Sequence, residues 1–373
     1  MNHQTLGELA QDREVRKASG FRAVAQALDA AGLASLYRRQ IESAPRRGAA
    51  GKGYFAGHDG TLPKRGARHD ADQLAIALVN HARQAGRPLP LPARLHGEDA
   101  GSVDLLDYHV PVKLVASEPP GVGRVDCLGL GPDERLAVVV LQYVAPSASR
   151  GSTGDTPLRA LLEGLACCAL LEADREALGA ELKTAFGRSV SSEPPVLLLV
   201  GSPRYWELCR RREAQKGAAW INQMERLARV LEGSEEGEAP PEGEAVPALG
   251  IGVRYLGLVL EGEPAWEVRD ERPTLLAPPR LATAWESTAG RIRPKPRPRA
   301  KSAPAEPQVV EADLSKPVRR YDLTTCYAAG ERIDHPTLGR GVVQGVVGAM
   351  KIAVLFGGEK RVLVHDRPSP GAS

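Results

Sequence analysis

Asp126 is the one acid in the apolar run GRVDCLGL, and it is the first candidate for chemistry in this chain. A carboxylate among apolar neighbours is costly to ionise unless a metal ion, a cation or hydrogen-bond donors meet it. Further along, Arg159 and Glu163 stand four residues apart in PLRALLEGLACCALL, a spacing that places both on one helix face. Directed at Asp126, that face supplies a second carboxylate and a cation. Directed elsewhere, it holds an intrahelical ion pair contributing a few tenths of a kcal/mol.

Two basic runs could bind a polyanion. The segment SAPRRGAAGKGYFAGHDGTLPKRGAR, residues 43–68, has neither helical nor strand period and carries Arg46, Arg47, Lys52, Lys64 and Arg65. It reads as a phosphate-contacting loop or as a solvated connector. Its Gly-Ala-Ala-Gly-Lys-Gly lacks P-loop spacing and a preceding apolar strand, which argues against a nucleotide cradle. The second run, RIRPKPRPRAK, places Arg293, Lys295, Arg297 and Arg299 among prolines, a stiff extended segment that can lie along a polyanion or merely space two domains.

Bulk charge gives no such signal. The 373 residues carry 49 Lys and Arg against 46 Asp and Glu, so nucleic-acid binding must rest on local charge. Five cysteines, odd in number and without a Cys-x-x-Cys pair, read as buried reduced thiols. His58-Asp59 and His69-Asp70 have no second ligand at metal-site spacing, so zinc is not expected. No long apolar run and no signal-peptide core are present, and a soluble cytoplasmic protein without membrane contact is expected.

The elements that must position these residues follow from periodicity. Apolar residues at helical spacing predict helices over residues 1–45, with a bend at Gly32, and another from Asp70 to Gln84. Strands are predicted over 105–115, interrupted near Pro111, and over 124–130 and 135–144, joined by Gly-Pro-Asp-Glu into a meander. A buried helix starts at Pro157 behind a Thr156 or Asp155 cap. PVLLLV, residues 195–200, predicts a buried parallel strand. Helical pattern resumes over 203–231, then a strand over 253–261 and an apolar segment over 275–285 that packs on the domain. Residues 232–247 are acidic and without period. After the basic linker, short β-rich runs at 332–335, 341–347, 351–356 and 360–365, with a Gly357-Gly358 hairpin, predict a small barrel. The expected division is N-terminal helices and basic loop over 1–68, an α/β domain over 69–288, a linker over 289–318 and the barrel over 319–368.

The order helix, three strands, helix, strand, helix, strand across residues 70–262 resembles the core of the PD-(D/E)XK nuclease superfamily. In those proteins the second core strand bears an aspartate, matched by Asp126, and the third bears a Glu-x-Lys triplet. By strand position that triplet falls on Val140, Leu141 and Gln142. Val140 offers no ligand, and Gln142 can orient a water but cannot replace the lysine charge. Some members place a replacement acid on the following helix, a role the resemblance offers to Glu163 with Arg159. Active, the site would hold Mg²⁺ or Mn²⁺ on Asp126 and Glu163; otherwise no cofactor is expected. The C-terminal GERIDHPTLGRGVVQGVVGAMKIAVLFGGEKRVLVH is similar to the Tudor-like, SH3-type barrel of bacterial UvrD-type helicases and to the module of CarD-type regulators. In those families it docks on RNA polymerase, which makes nucleic acid or RNA polymerase the implied partner.

The expectation is therefore an α/β chain with a restriction-endonuclease-like mixed sheet, N-terminal helices and a small all-β barrel. It would be a non-catalytic nuclease-fold protein binding nucleic acid or a nucleic-acid machine. The alternatives are a metal-dependent nuclease with a migrated acid and a protein-interaction scaffold.

Overall fold

A computed structural model describes residues 3–17, 19–55, 58–62, 70–93, 101–114, 122–148, 155–216, 220–233, 249–288 and 309–366, with the side chains of 70 and 211–216 excepted. The chain forms two compact units, Met1–Pro294 and Lys295–Ser373.

In the first unit, helices α1 (Leu6–Gln11), α2 (Arg13–Arg16), α3 (Phe21–Ala27) and α4 (Ala30–Glu42) precede α5 (Asp70–Ala85). Gly32 is not the bend expected of it. The chain breaks at Leu28 and Asp29, whose carboxylate caps α4 by accepting from Gly32 N at 2.7 Å. The two-residue β1 (Leu89–Pro90) leads into the meander β2 (Ser102–Pro111), β3 (Arg124–Leu130) and β4 (Leu136–Gln142). The Gly-Pro-Asp-Glu turn between β3 and β4 holds Asp133 and Glu134 at positive φ. Then follow α6 (Pro157–Ala173), α7 (Arg175–Phe186), β5 (Val196–Gly201), α8 (Pro203–Lys216), α9 (Trp220–Glu232) and β6 (Gly252–Val259). The helical pattern over 203–231 is thus two helices. A hairpin of β7 (Trp266–Arg269) and β8 (Arg272–Leu275) precedes β9 (Arg280–Thr283), the strand within the expected apolar segment.

Seven strands make one mixed sheet in the order β1-β2-β3-β4-β5-β6-β9. The meander and β9 pair antiparallel, while β4-β5 and β5-β6 pair parallel. Period-two alternation divides its residues between two cores. Val138, Val140, Leu197 and Leu199 face α6, α8, α9 and the N-terminal helices. Val139, Leu141, Leu198 and Val200 face α5 and the β7–β8 hairpin. Being buried on both faces, β4 and β5 are continuous apolar runs, as parallel strands require.

Helix α6 is the spine of the first core. Thr156 caps it by accepting from Arg159 N and donates its own hydroxyl to Val15 O at 2.6 Å, fastening the helix start to the N-terminal segment. Leu6, Leu9, Phe21, Leu33 and Leu36 share one core with Leu158, Leu161 and Leu165. Residues 3–42 are therefore part of the α/β body rather than a separate domain. Cys127, Cys167, Cys168 and Cys209 are buried free thiols as expected; Cys326, in the second unit, is exposed.

The second unit has its own five-stranded sheet in the order β10-β11-β12-β13-β14, formed by β10 (Arg319–Arg320), β11 (Arg332–His335), β12 (Gly339–Gly348), β13 (Lys351–Phe356) and β14 (Glu359–Val364). Phe356 pairs with Glu359, leaving Gly357 and Gly358, both at positive φ, as a two-residue hairpin turn. Tyr327, Ile333, Val343, Ile352, Val354 and Phe356 form the core. The Tyr321 hydroxyl donates to Val364 O, tying the two ends of the sheet together. Residues from 309 onward join this unit, since Val310 N donates to the Gln344 side chain and Asp313 N to Gly330 O. The expected linker boundary at 318 falls too late. The acidic stretch 234–247 and the basic run 291–301 lie outside the described residues. Among the described residues no helix is long and apolar enough to cross a membrane.

One glycine tests the packing of α6. A Cβ on Gly164 would lie 2.5 Å from a Leu197 methyl and 3.1 Å from Val140. Gly179, in α7, has open space. Gly164→Ala should destabilise the protein by about 1–3 kcal/mol through overpacking, whereas Gly179→Ala should stabilise it by up to about 1 kcal/mol through helix propensity. Urea unfolding of the two variants checks the opposite signs.

Candidate functional site

The β3–β4 ladder runs from Leu130 opposite Leu136 to Cys127 opposite Val139 and stops there. Beyond it β4 stays paired with β5 up to Gln142 and β3 with β2 up to Arg124, so β2 and β3 part from β4 together. Parting strands leave backbone donors to be satisfied in another way. The carboxylate of Asp126 meets one of them, accepting from Leu141 N at 2.7 Å.

A cleft of about 780 Å³ opens at this fork. Its floor is Val125, Asp126, Val140, Leu141 and Gln142; Glu163 and Cys167 of α6 form one wall, with Asp155 just before that helix. Its lining also includes Arg47 and Lys52 of the basic loop, Lys113 after β2, and Arg124 at the start of β3, which together make a basic rim. Asp126, Glu163 and Gln142, far apart in sequence, thus line one cavity.

Burial dominates the electrostatics. It pushes the Asp126 carboxyl up to about 6, with Asp72 and Glu163 adding repulsion; the Leu141 N–H and Arg124 pull the other way. Burial also raises the Glu163 carboxyl, opposed chiefly by Arg159. Arg159 Nη2 pairs with Glu163 at 2.9 Å and Nη1 with Asp155, while Gln11 Nε2 donates to Glu163 at 3.4 Å. Glu163 thus lines the cleft of Asp126 while held by its own helix neighbour; Arg159 is not among the lining residues, its guanidinium being spent on Glu163 and Asp155.

The basic rim is partly spent on structure. Arg47 is buried, donates to Lys113 O and to Gly53 O, and lies over the Tyr54 ring with its guanidinium carbon 5.4 Å from the centroid. It fastens the loop rather than presenting a charge to solvent. Lys52 donates to Leu114 O at 2.6 Å yet is exposed, and Arg46 is exposed. Arg124 pairs with Asp72. Lys64, Arg65, Arg293, Lys295, Arg297 and Arg299 lie outside the described residues.

Sequence reasoning missed a second polar cluster. Asp107, buried in β2 beside a register shift, accepts from His58 Nδ1 and Arg83 Nη2, each at 3.1 Å, while His58 stacks on Tyr108. His109 has φ of 50°, and burial pushes its pKa down to about 4. The only local signal was alternation: Asp107 and His109 interrupt an apolar strand. His58 serves here as a hydrogen-bond partner, and among the described residues no group of three or more His, Cys, Asp or Glu could hold a metal ion. A hard cation in the cleft would have two carboxylates, Asp126 and Glu163, fewer protein ligands than a dedicated cage supplies. Comparison with protein families, with curated proteins and with solved structures finds no match.

The raised Asp126 pKa has a sign that can be tested. Between the ordinary aspartate value near 3.9 and about 6, the folded state binds more protons than the unfolded one, so this group's contribution to stability falls as pH rises. Asp126→Asn keeps an acceptor for Leu141 N–H and removes the titration. The stability of this variant relative to wild type should improve by on the order of 1–3 kcal/mol from pH 4 to pH 7, measured by chemical denaturation along the pH series.

Proposed function

We propose that the first unit is a nuclease-like frame of the PD-(D/E)XK kind that has lost its third motif, and that it binds nucleic acid or a nucleic-acid machine without cutting. The second unit is then a Tudor-like, SH3-type docking module, with RNA polymerase the partner that its resemblance suggests. The observation that carries this reading is the fork: an aspartate stands where two sheet strands part over a cleft, and the adjoining strand offers Val140 and Gln142. The Asp126 carboxylate is occupied by a backbone donor and Glu163 by Arg159, an arrangement that holds the frame without a metal. Exposed Arg46 and Lys52 lie on the loop that reaches the cleft's basic rim. Two modules on one chain raise each other's effective concentration on a shared partner.

A second reading has one observation in its favour. Asp126 and Glu163 line the same cavity, and each carries a raised pKa, as two acids awaiting a hard cation would. In that case the chain is a metal-dependent nuclease. Asp126 and Glu163 would hold the ion, which would polarise the phosphate, and Gln142 would orient a water.

Fluorescence polarisation with labelled single- and double-stranded DNA separates these readings. Binding should weaken at least tenfold between 50 and 200 mM salt as counterions are released, and Arg46→Glu with Lys52→Glu should weaken it further, with the DNA left intact in Mn²⁺. Cleavage abolished by Asp126→Ala would replace the binding reading with the catalytic one. Salt-independent or absent binding would leave a protein-interaction scaffold.

A further inference from the structure

A second cavity, of about 490 Å³, lies in the first unit at the carboxyl ends of β4, β5 and β6. The chain leaves those strands through Tyr143–Pro146, Ser202–Arg204 and Leu258–Leu260, and residues 262–266 with Val268 of β7 and Gln73 of α5 complete the lining. The carboxyl ends of parallel strands are a recurrent place for ligands because the loops there diverge and leave space between them. Pro146, Pro203 and Pro264 stiffen the walls, since each fixes its own φ.

Most polar side-chain groups of this cavity are satisfied inside the protein, Arg204 Nε being a buried donor left without a partner. Ser202 Oγ accepts from Val144 N at 3.0 Å and donates to Val144 O at 2.9 Å. Arg204 pairs with Glu207 at 3.0 Å and donates to Ala148 O at 2.8 Å, so its charge is neutralised. Trp266 Nε1 donates to Gln73 Oε1 at 3.2 Å, which leaves the indole as ring surface beside Tyr143, centroids 5.2 Å apart in edge geometry. Glu263, the other charged side chain of the lining, is exposed. With Arg204 already paired, an anionic ligand would leave water here without finding a free cation, and the Glu263 charge stands in water, where it is screened. A neutral ring gains apolar and aromatic contact at no such cost.

We propose that this cavity is a binding site for an uncharged, planar, mono- or bicyclic compound, held between the Tyr143–Trp266 ring pair and the Leu258–Leu260 segment. The proposal does not depend on the role of the Asp126 cleft.

Titration of the full chain with N-phenyl-1-naphthylamine, a neutral dye that brightens in apolar surroundings, tests it. Saturable binding at one site is expected, weakened at least tenfold by Trp266→Ala and by Val268→Trp, which fills the cavity from a half-exposed rim position. Thermal melts report whether each variant is folded; should Trp266→Ala melt early, Val268→Trp carries the test. Val362→Asp, which alters an exposed apolar residue of the C-terminal sheet, should leave the titration unchanged. The proposal is overturned if the signal rises without saturating, if Val268→Trp binds as wild type does, or if Val362→Asp abolishes binding. It also fails if 8-anilinonaphthalene-1-sulfonate, a similar ring system bearing a charge, binds equally well.

Discussion

The hydrogen bond from Leu141 N to the Asp126 carboxylate holds the fork in the sheet. A sheet cannot branch without leaving backbone groups unpaired, and an unpaired buried amide costs about as much as a lost hydrogen bond. The branch persists because a side chain from the departing strand reaches back and takes the place of a ladder carbonyl. Once β3 has turned away, the space beside β4 becomes a cleft, and α6 can present Glu163 and Cys167 to it. The same carboxylate that fixes the backbone also lines the cleft. The elevated pKa of Asp126 is the physical trace of its burial at this point, only partly offset by the Leu141 N–H.

Around this fork the unit divides its labour between two faces. One face carries every parallel crossover, through α6 with α7 and through α8 with α9, and also the N-terminal helices. The other is covered by α5 and a hairpin. Because successive connections stay on one side, the sheet has no point at which strand order reverses. The Asp126 cleft and the cavity beside Trp266 arise in other ways, one from strand divergence and one from loops diverging at strand ends.

Much of this frame was legible in the sequence because the signals were local and strong. The apolar runs Leu136–Leu141 of β4 and Val196–Val200 of β5 leave little choice but buried strands, and Thr156-Pro157 marks the start of α6. Gly357-Gly358 marked a two-residue turn because both positions take positive φ, which glycine adopts without steric cost. Misreadings came where tertiary partners decide. Gly32 looked like a breaker, but Asp29 caps the helix three residues earlier and absorbs it. Arg47 looked like a free cation, yet two backbone carbonyls and the Tyr54 ring claim it. Asp107 with His58 and Arg83 could not be read at all, since the three are joined by the fold and not by spacing.

The attachment of the N-terminal helices to α6 has a consequence for how the chain acquires its structure. Val15 waits for the Thr156 hydroxyl and Gln11 for Glu163, partners more than 140 positions downstream. During synthesis residues 3–42 leave the ribosome with their apolar faces uncovered, and they stay so until α6 follows. Contacts of such sequence separation slow folding and prolong the exposure of sticky surface. The burden of solubility in that interval falls on a few exposed charges, Arg22 of α3 and Arg38, Arg39 and Glu42 of α4, and on whatever chaperone meets them first.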